Sequence, residues 1–387
     1  MTLKHRLFLS ILFVIVNGIL FWKLGVSVDD DTESFLTYAE EIKERGIFFK
    51  PHDFWYIAYP LFIILMTSIH DSLGMVVFGQ VALSYLALMS LYASGKRLFG
   101  NPKAGLVAGL LFLGFFMISF WNFWIYCESL LISLNCLSIY FLIKWFKNEG
   151  NLGNYILGIL VIVAAFFTKP TGIALLGGIL ISVGFIFWVN EKFRKVRWAG
   201  LIGGFFLFIL LLNQMLSTFG FVEAYQMGEV VYNVHKLADK DYATWLILEV
   251  PENLFVPASE LPPIFQFVSI IIGNPIYSLQ LFGTKLFFFL FYLRPYYSLA
   301  HNALALAVLL PVYVFFFHEM IKGSISKPFK ILVFGFILIS ILSTSLMTIN
   351  WNSRFLVPIL PVIFLIAANK LGIVFQKGLE KNLIPTT

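Results

Sequence analysis

Three consecutive carboxylates, Asp29, Asp30 and Asp31, follow closely on an apolar run over residues 7–24. Ionised carboxylates are costly to desolvate, so they must sit in water, in a polar cavity or against cations. Two kinds of chemistry suit them. A positioned carboxylate can take the proton from an attacking hydroxyl. Clustered aspartates can also hold Mg²⁺ or Mn²⁺, for which Asp30 and Asp31 would be the ligands. A plainer use stands beside these. Asp30 and Glu33 have capping-box spacing, and acids at a helix start favour its dipole. Asp29 reads as solvated charge.

Four cations could stabilise an anionic leaving group: Lys169 in a Lys-Pro-Thr-Gly turn, Arg354 between two apolar runs, Lys285 within one, and Arg294 after it. Lys169 and Lys285 could equally be snorkelling lysines. Glu128 opens an apolar run, where it is either a polar contact for a substrate or a first-turn acid. Tyr59, in a Tyr-Pro turn, and His52 are further candidates for substrate contact. Tyr56, Trp121, Trp124 and Tyr296 could stack on a sugar or anchor the chain at an interface.

The elements that must position these residues are membrane helices. Of the 387 residues, 59% are hydrophobic and only 12% charged, half the usual charge of a soluble domain. Runs long enough to cross lie at 7–24, 75–94, 104–121, 128–145, 152–168, 172–189, 198–218, 300–318, 330–349 and 355–371. Two stretches are ambiguous. Residues 56–69 are short and contain Pro60, and 277–293 contain Gly283 and Lys285; both read as interfacial or re-entrant pieces. After the aspartates, Phe35, Ala39 and Ile42 share one face of an amphipathic helix that Gly46 ends.

Ten crossings can be checked against charge. With the N-terminus inside, 17 of the 27 Lys and Arg residues fall in inner segments, and 17 of the 21 Asp and Glu residues fall outside. This positive-inside asymmetry orients the chain with both termini cytoplasmic. It also explains the net charge of +6 without a nucleic-acid partner. The outer face then carries residues 25–74, an acidic first loop, and 219–299, a large loop rich in Pro and aromatic residues. No soluble domain is expected, and the chain reads as one transmembrane domain over 1–387. Cys127 and Cys136 lie on one helical run, about 13 Å apart along its axis, too far to pair.

Taken in order, these motifs resemble the GT-C superfamily of integral-membrane glycosyltransferases, which includes polyprenyl-phosphate-mannose-dependent mannosyltransferases and the bacterial aminoarabinose transferases. The likeness spans nearly the whole chain. It consists of the acidic first outer loop, the Tyr59-Pro60 turn, Leu98-Phe99-Gly100, Glu128 opening a span, Lys169-Pro170-Thr171-Gly172, and Arg354 followed by Pro358 and Pro361. The resemblance implies an all-α, GT-C-like bundle of about ten membrane helices with outer interfacial helices. It implies a sugar donor on a polyprenyl phosphate, with the lipid tail between helices and the chemistry at the outer face. Family members carry their acid where Asp31 stands, which makes Asp31 the expected base. With one base and a phosphate leaving group, inversion is expected. The short loops point to a bacterial plasma membrane. A transporter or lipid flippase is the alternative class; it would call for inverted repeats and midplane charges, and neither is visible.

Overall fold

The computed structural model describes residues 2–49, 53–193, 195–217, 220–237, 240–346, 349, 351–352 and 354–383. Among them are sixteen α-helices and no strand beyond isolated bridges. The protein is an all-α, polytopic membrane protein. It divides into two compact units, one made of Met1–Gly172, Pro311–Lys330 and Val357–Thr387, the other of Ile173–Leu310 and Ile331–Leu356.

The first unit opens with α1 (Thr2–Leu24) and α2 (Asp30–Arg45). Of the face anticipated from spacing, helix α2 buries Ala39 and Ile42 and half-buries Phe35; it also buries Tyr38, with Ile57, Phe54 and Phe167 packed on Tyr38 and Ile42. It ends at Gly46, whose φ of 83° lies where only glycine is unstrained. Next come α3 (Ala58–Ile69), with Pro60 tolerated in its first turn, and α4 (Leu73–Phe99). Helix α5 (Pro102–Gly114) starts from an Asn101 cap with Pro102 at its head. It can approach α4 closely because Gly105 has no side chain: a Cβ there would lie 2.2 Å from the Tyr92 carbonyl oxygen. After a bend of 61° the chain continues through α6 (Met117–Phe120) to α7 (Cys127–Phe146) and α8 (Leu152–Phe166). Helix α7 is the most deeply buried of the long apolar helices and forms the centre of this unit.

The second unit holds α9 (Ile173–Val189), α10 (Arg197–Leu216), α11 (Phe221–Gln226), α12 (Pro263–Gly273) and α13 (Pro275–Phe291). Helices α14 (Leu299–Lys322) and α15 (Lys327–Leu346) contribute residues to both units, and α16 (Leu360–Leu383) returns to the first. Gly178 on α9 lets the α15 backbone come within van der Waals reach. Short extended pairings order the large loop: Val230 N–H donates to Leu246 O at 3.0 Å and Tyr232 N–H to Ile349 O at 3.0 Å.

Among the described residues, seven helices are long and apolar enough to cross a membrane, and up to nine if each of two bent pairs is one span. These cover eight of the ten predicted crossings. The run at 152–168 forms a helix of 15 residues, Leu152–Phe166, short for a span. The run predicted from 355 starts its helix later, at Leu360, because Pro358 and Pro361 keep the preceding residues in turns. The ambiguous run at 277–293 is the second arm of α12–α13, which bends by 109° about Asn274. Cys127 and Cys136 are both buried.

Candidate active site

The acidic turn is fastened to a distant part of the chain. Ser27 N–H donates to Phe123 O at 2.8 Å and Ile125 N–H donates to Ser27 O at 3.1 Å, a short parallel pairing. This pairing keeps the backbone extended through Asp29, so the helix begins one residue later. The N-cap is therefore Asp29, not Asp30. Its carboxylate accepts from the Asp31 N–H at 3.2 Å, and its own N–H donates to Thr32 Oγ1 at 3.1 Å. Thr32 takes the part expected of Glu33 because its hydroxyl also donates to Ile125 O, at 3.3 Å. The second Asp29 oxygen accepts from the Tyr126 hydroxyl. Asp29, expected to be mere solvated charge, is the residue that ties the turn down. The Asp30 backbone opens α2, and Asp31 follows it in the first turn, half-buried.

Removing the cap tests this arrangement. Asp29→Ala is expected to destabilise the first turn of α2 by about 1 kcal/mol, and Tyr126→Phe by a similar amount. Faster amide exchange at Asp31 and Thr32 in both variants would register it. Unchanged exchange would mean that the turn is held elsewhere.

Tyr126 immediately precedes α7, and Glu128 lies in its first turn. Glu128 is fully buried and pairs with Lys169, Nζ to Oε1, at 2.5 Å; the Lys169 side chain is only 6% exposed. The structure thus joins two residues that the sequence offered separately. Glu128 is a first-turn acid, but a buried and paired one, and Lys169 is too buried for a snorkelling lysine. At the same helix head, one residue anchors the acidic turn and another, two positions on, anchors the lysine turn.

A buried polar network holds this helix head in place. Tyr59 hydroxyl donates to Gln80 Oε1 at 2.8 Å, and Gln80 Nε2 donates to the carbonyls of Asn122 and Trp124, each at 2.9 Å. Ser129 donates to Asn122 Oδ1 at 2.8 Å, and Asn122 Nδ2 to Asn17 Oδ1 at 2.9 Å. Tyr59 is completely buried, so it braces the site from behind, while Phe35 packs edge-on against its ring at 5.0 Å. Sequence reading passed over Asn17, Gln80, Asn122 and Tyr126. The available signal was Asn17 and Gln80 standing inside apolar runs, where an amide is unfavourable unless it is bonded.

The remaining candidate cations belong to the second unit. Arg294 is buried and gives its donors to main-chain carbonyls: Nε to Trp351 O at 3.0 Å, and Nη1 to Phe288 O at 2.7 Å and Leu293 O at 2.6 Å. Burial disfavours its charged form, and these carbonyls bind it in place. A strut for the 351 segment describes this geometry better than a phosphate ligand. Lys285 is also buried, in the electrostatic reach of Glu229, which in turn pairs with His235. Arg354 is half-buried in the turn before α16. His52 lies outside the described residues. Among the described residues no group of three or more His, Cys, Asp or Glu side chains gathers to hold a metal ion.

Residues 55–215 match the family model described as dolichyl-phosphate-mannose-protein mannosyltransferase. No curated protein matches the chain. The matched stretch contains Tyr59, Glu128 and Lys169, and the acidic turn precedes it. At the level of that family the match supports a glycosyltransferase that depends on a polyprenyl-phosphate sugar, in agreement with the GT-C resemblance. With the apolar helices it supports an integral, multi-pass membrane glycosyltransferase of mannosyltransferase type.

Proposed function

We propose that the chain transfers a sugar from a polyprenyl-phosphate donor to an acceptor hydroxyl at the outer face of a membrane, with inversion at the anomeric carbon. The observation that supports this most is the head of α7. There the acidic turn and the buried Glu128–Lys169 pair are fixed two residues apart on one helix start.

In this scheme Asp31 takes the proton from the acceptor hydroxyl, and the acceptor oxygen attacks the anomeric carbon. The bond from that carbon to the phosphate oxygen breaks, and polyprenyl phosphate leaves as the anion. Such a leaving group needs cationic stabilisation more than a general acid. Lys169 is assigned that task, and Glu128 holds its ammonium in position. Asp29 is a positioning residue, because both of its oxygens are engaged within the turn. No step here draws on Arg354 or Lys285. The two ends of α7 support the expected sidedness. Its N-terminal end meets the acidic turn, while its C-terminal end carries Lys144 and Lys147 beside Arg97. In this reading that basic end faces the cytoplasm, as do both termini, in keeping with the positive-inside asymmetry, and the membrane is a bacterial plasma membrane.

The stereochemistry tests the single-base scheme. Purified protein given a polyprenyl-phosphate sugar of known anomeric configuration should yield product of the opposite configuration, read by the anomeric proton coupling. Retention would require a second nucleophile and would remove the scheme.

A further inference from the structure

The basic cluster at the other end of α7 has no part in this chemistry. Lys144 and Lys147 of that end meet Arg97, in the last turn of α4. The Arg97 guanidinium lies 5.2 Å from the Tyr140 ring centroid and the Lys144 ammonium 5.7 Å from the same centroid. Lys147 donates to the Arg97 carbonyl, which places it at the same junction. Most of the partners these cations have are neutral: Lys144 bonds Asn154 Oδ1 at 2.7 Å, and Lys147 a carbonyl. The carboxylate bound here is Glu149, which accepts from Arg97 Nε at 3.0 Å and is 46% exposed. Three cations against that carboxylate leave an excess of positive charge where two helices end. Lysines at helix C-termini also complement the helix dipoles. That accounts for cations at each helix end, but not for two of them facing one tyrosine ring.

The surroundings mark the depth of the cluster. Trp145 stacks on Tyr155 at 5.5 Å, and such rings favour the headgroup level of a bilayer. Immediately beyond, α8 exposes Leu152, Ile156, Ile159 and Leu160, an aliphatic strip that suits acyl chains. Charged headgroup contacts, an aromatic level and an aliphatic strip occur in the order in which a phospholipid presents phosphate and chains. We propose that Arg97, Lys144 and Lys147 form a binding site for the phosphate headgroup of an anionic membrane phospholipid, with the lipid chains along α8. The site is separate from the proposed transfer chemistry, and it stands or falls independently of it.

Native mass spectrometry of the full chain in nanodiscs of mixed phosphatidylglycerol and phosphatidylcholine tests this. The protein should carry out phosphatidylglycerol in preference. With each lysine of the site worth about 1 kcal/mol toward the bound headgroup, or about fivefold, Lys144→Gln with Lys147→Gln should weaken the preference roughly 25-fold. Lys192→Gln with Lys195→Gln, an equal change of charge elsewhere, should leave it intact. Equal retention of both lipids, or the same loss in both double variants, would overturn the site. Displacement of phosphatidylglycerol by millimolar inorganic phosphate would overturn the assignment to a lipid, since a free anion would then suffice.

Discussion

Asp31→Asn is expected to slow sugar transfer by about 10²- to 10⁴-fold while membrane insertion and donor retention stay as in the wild type. The amide keeps the shape of the side chain and the first turn of α2, but it cannot accept the proton of the acceptor hydroxyl. The cap of that turn is Asp29, so the substitution leaves the capping bonds in place: the Asp31 N–H that donates to Asp29 is main chain and unaffected. Loss of rate can therefore be separated from loss of structure. Asp29→Ala should behave differently, with frayed amides in α2 and a smaller fall in rate. A rate in Asp31→Asn within a factor of a few of the wild type would remove Asp31 as the base. A large fall in Asp29→Asn alone would move that role to Asp29.

The second large effect concerns the Glu128–Lys169 pair. Lys169→Met leaves a carboxylate buried without its partner, which costs roughly 3–5 kcal/mol, and Glu128→Gln strands an ammonium at similar cost. Each variant should show a markedly lower melting temperature in detergent and poor recovery. The double variant, Glu128→Gln with Lys169→Met, removes both charges together. Buried pairs replaced as a unit are often neutral for stability, so its melting temperature should return close to that of the wild type. Donor retention should not return, because Lys169 is the cation assigned to the leaving phosphate. If the double variant regains transfer along with stability, the pair is structural only. If it stays as unstable as the single variants, the pair has further partners that the ion pair does not represent.

Much of the fold could be read from composition because apolar helices announce themselves locally. Runs such as 75–94 and 128–145 fell within α4 and α7, and spacing alone gave Ala39 and Ile42 of the buried face of α2, though not Tyr38. The misplaced start of α16 shows the limit of hydropathy: residues 355–359 are apolar enough for a helix, and two prolines hold them in turns. The site was legible residue by residue, but its connections were not. Asp30 with Glu33 satisfies the local capping pattern. Asp29 with Thr32 won because residues almost a hundred positions away pair with Ser27 and donate to Asp29. Glu128 could have been a plain first-turn acid and Lys169 a snorkelling lysine, and their pairing across 41 positions depends on how α7 and the end of α8 pack. Arg294 looked like a phosphate ligand because it is an outside cation. The carbonyls that bind it come partly from residue 351, which no local pattern connects to it.

The most direct measurement is native mass spectrometry of the protein in nanodiscs, with polyprenyl phosphate and a panel of polyprenyl-phosphate sugars, before and after an acceptor mixture is added. The expected result is retention of one such sugar lipid, weakened in the stable Glu128→Gln, Lys169→Met double variant, and its conversion to polyprenyl phosphate with acceptor in the wild type but not in Asp31→Asn. A protein that retains none of these lipids in excess, or that releases the sugar lipid intact and unconverted across the panel, would contradict a transferase and bring a transporter or flippase to the front.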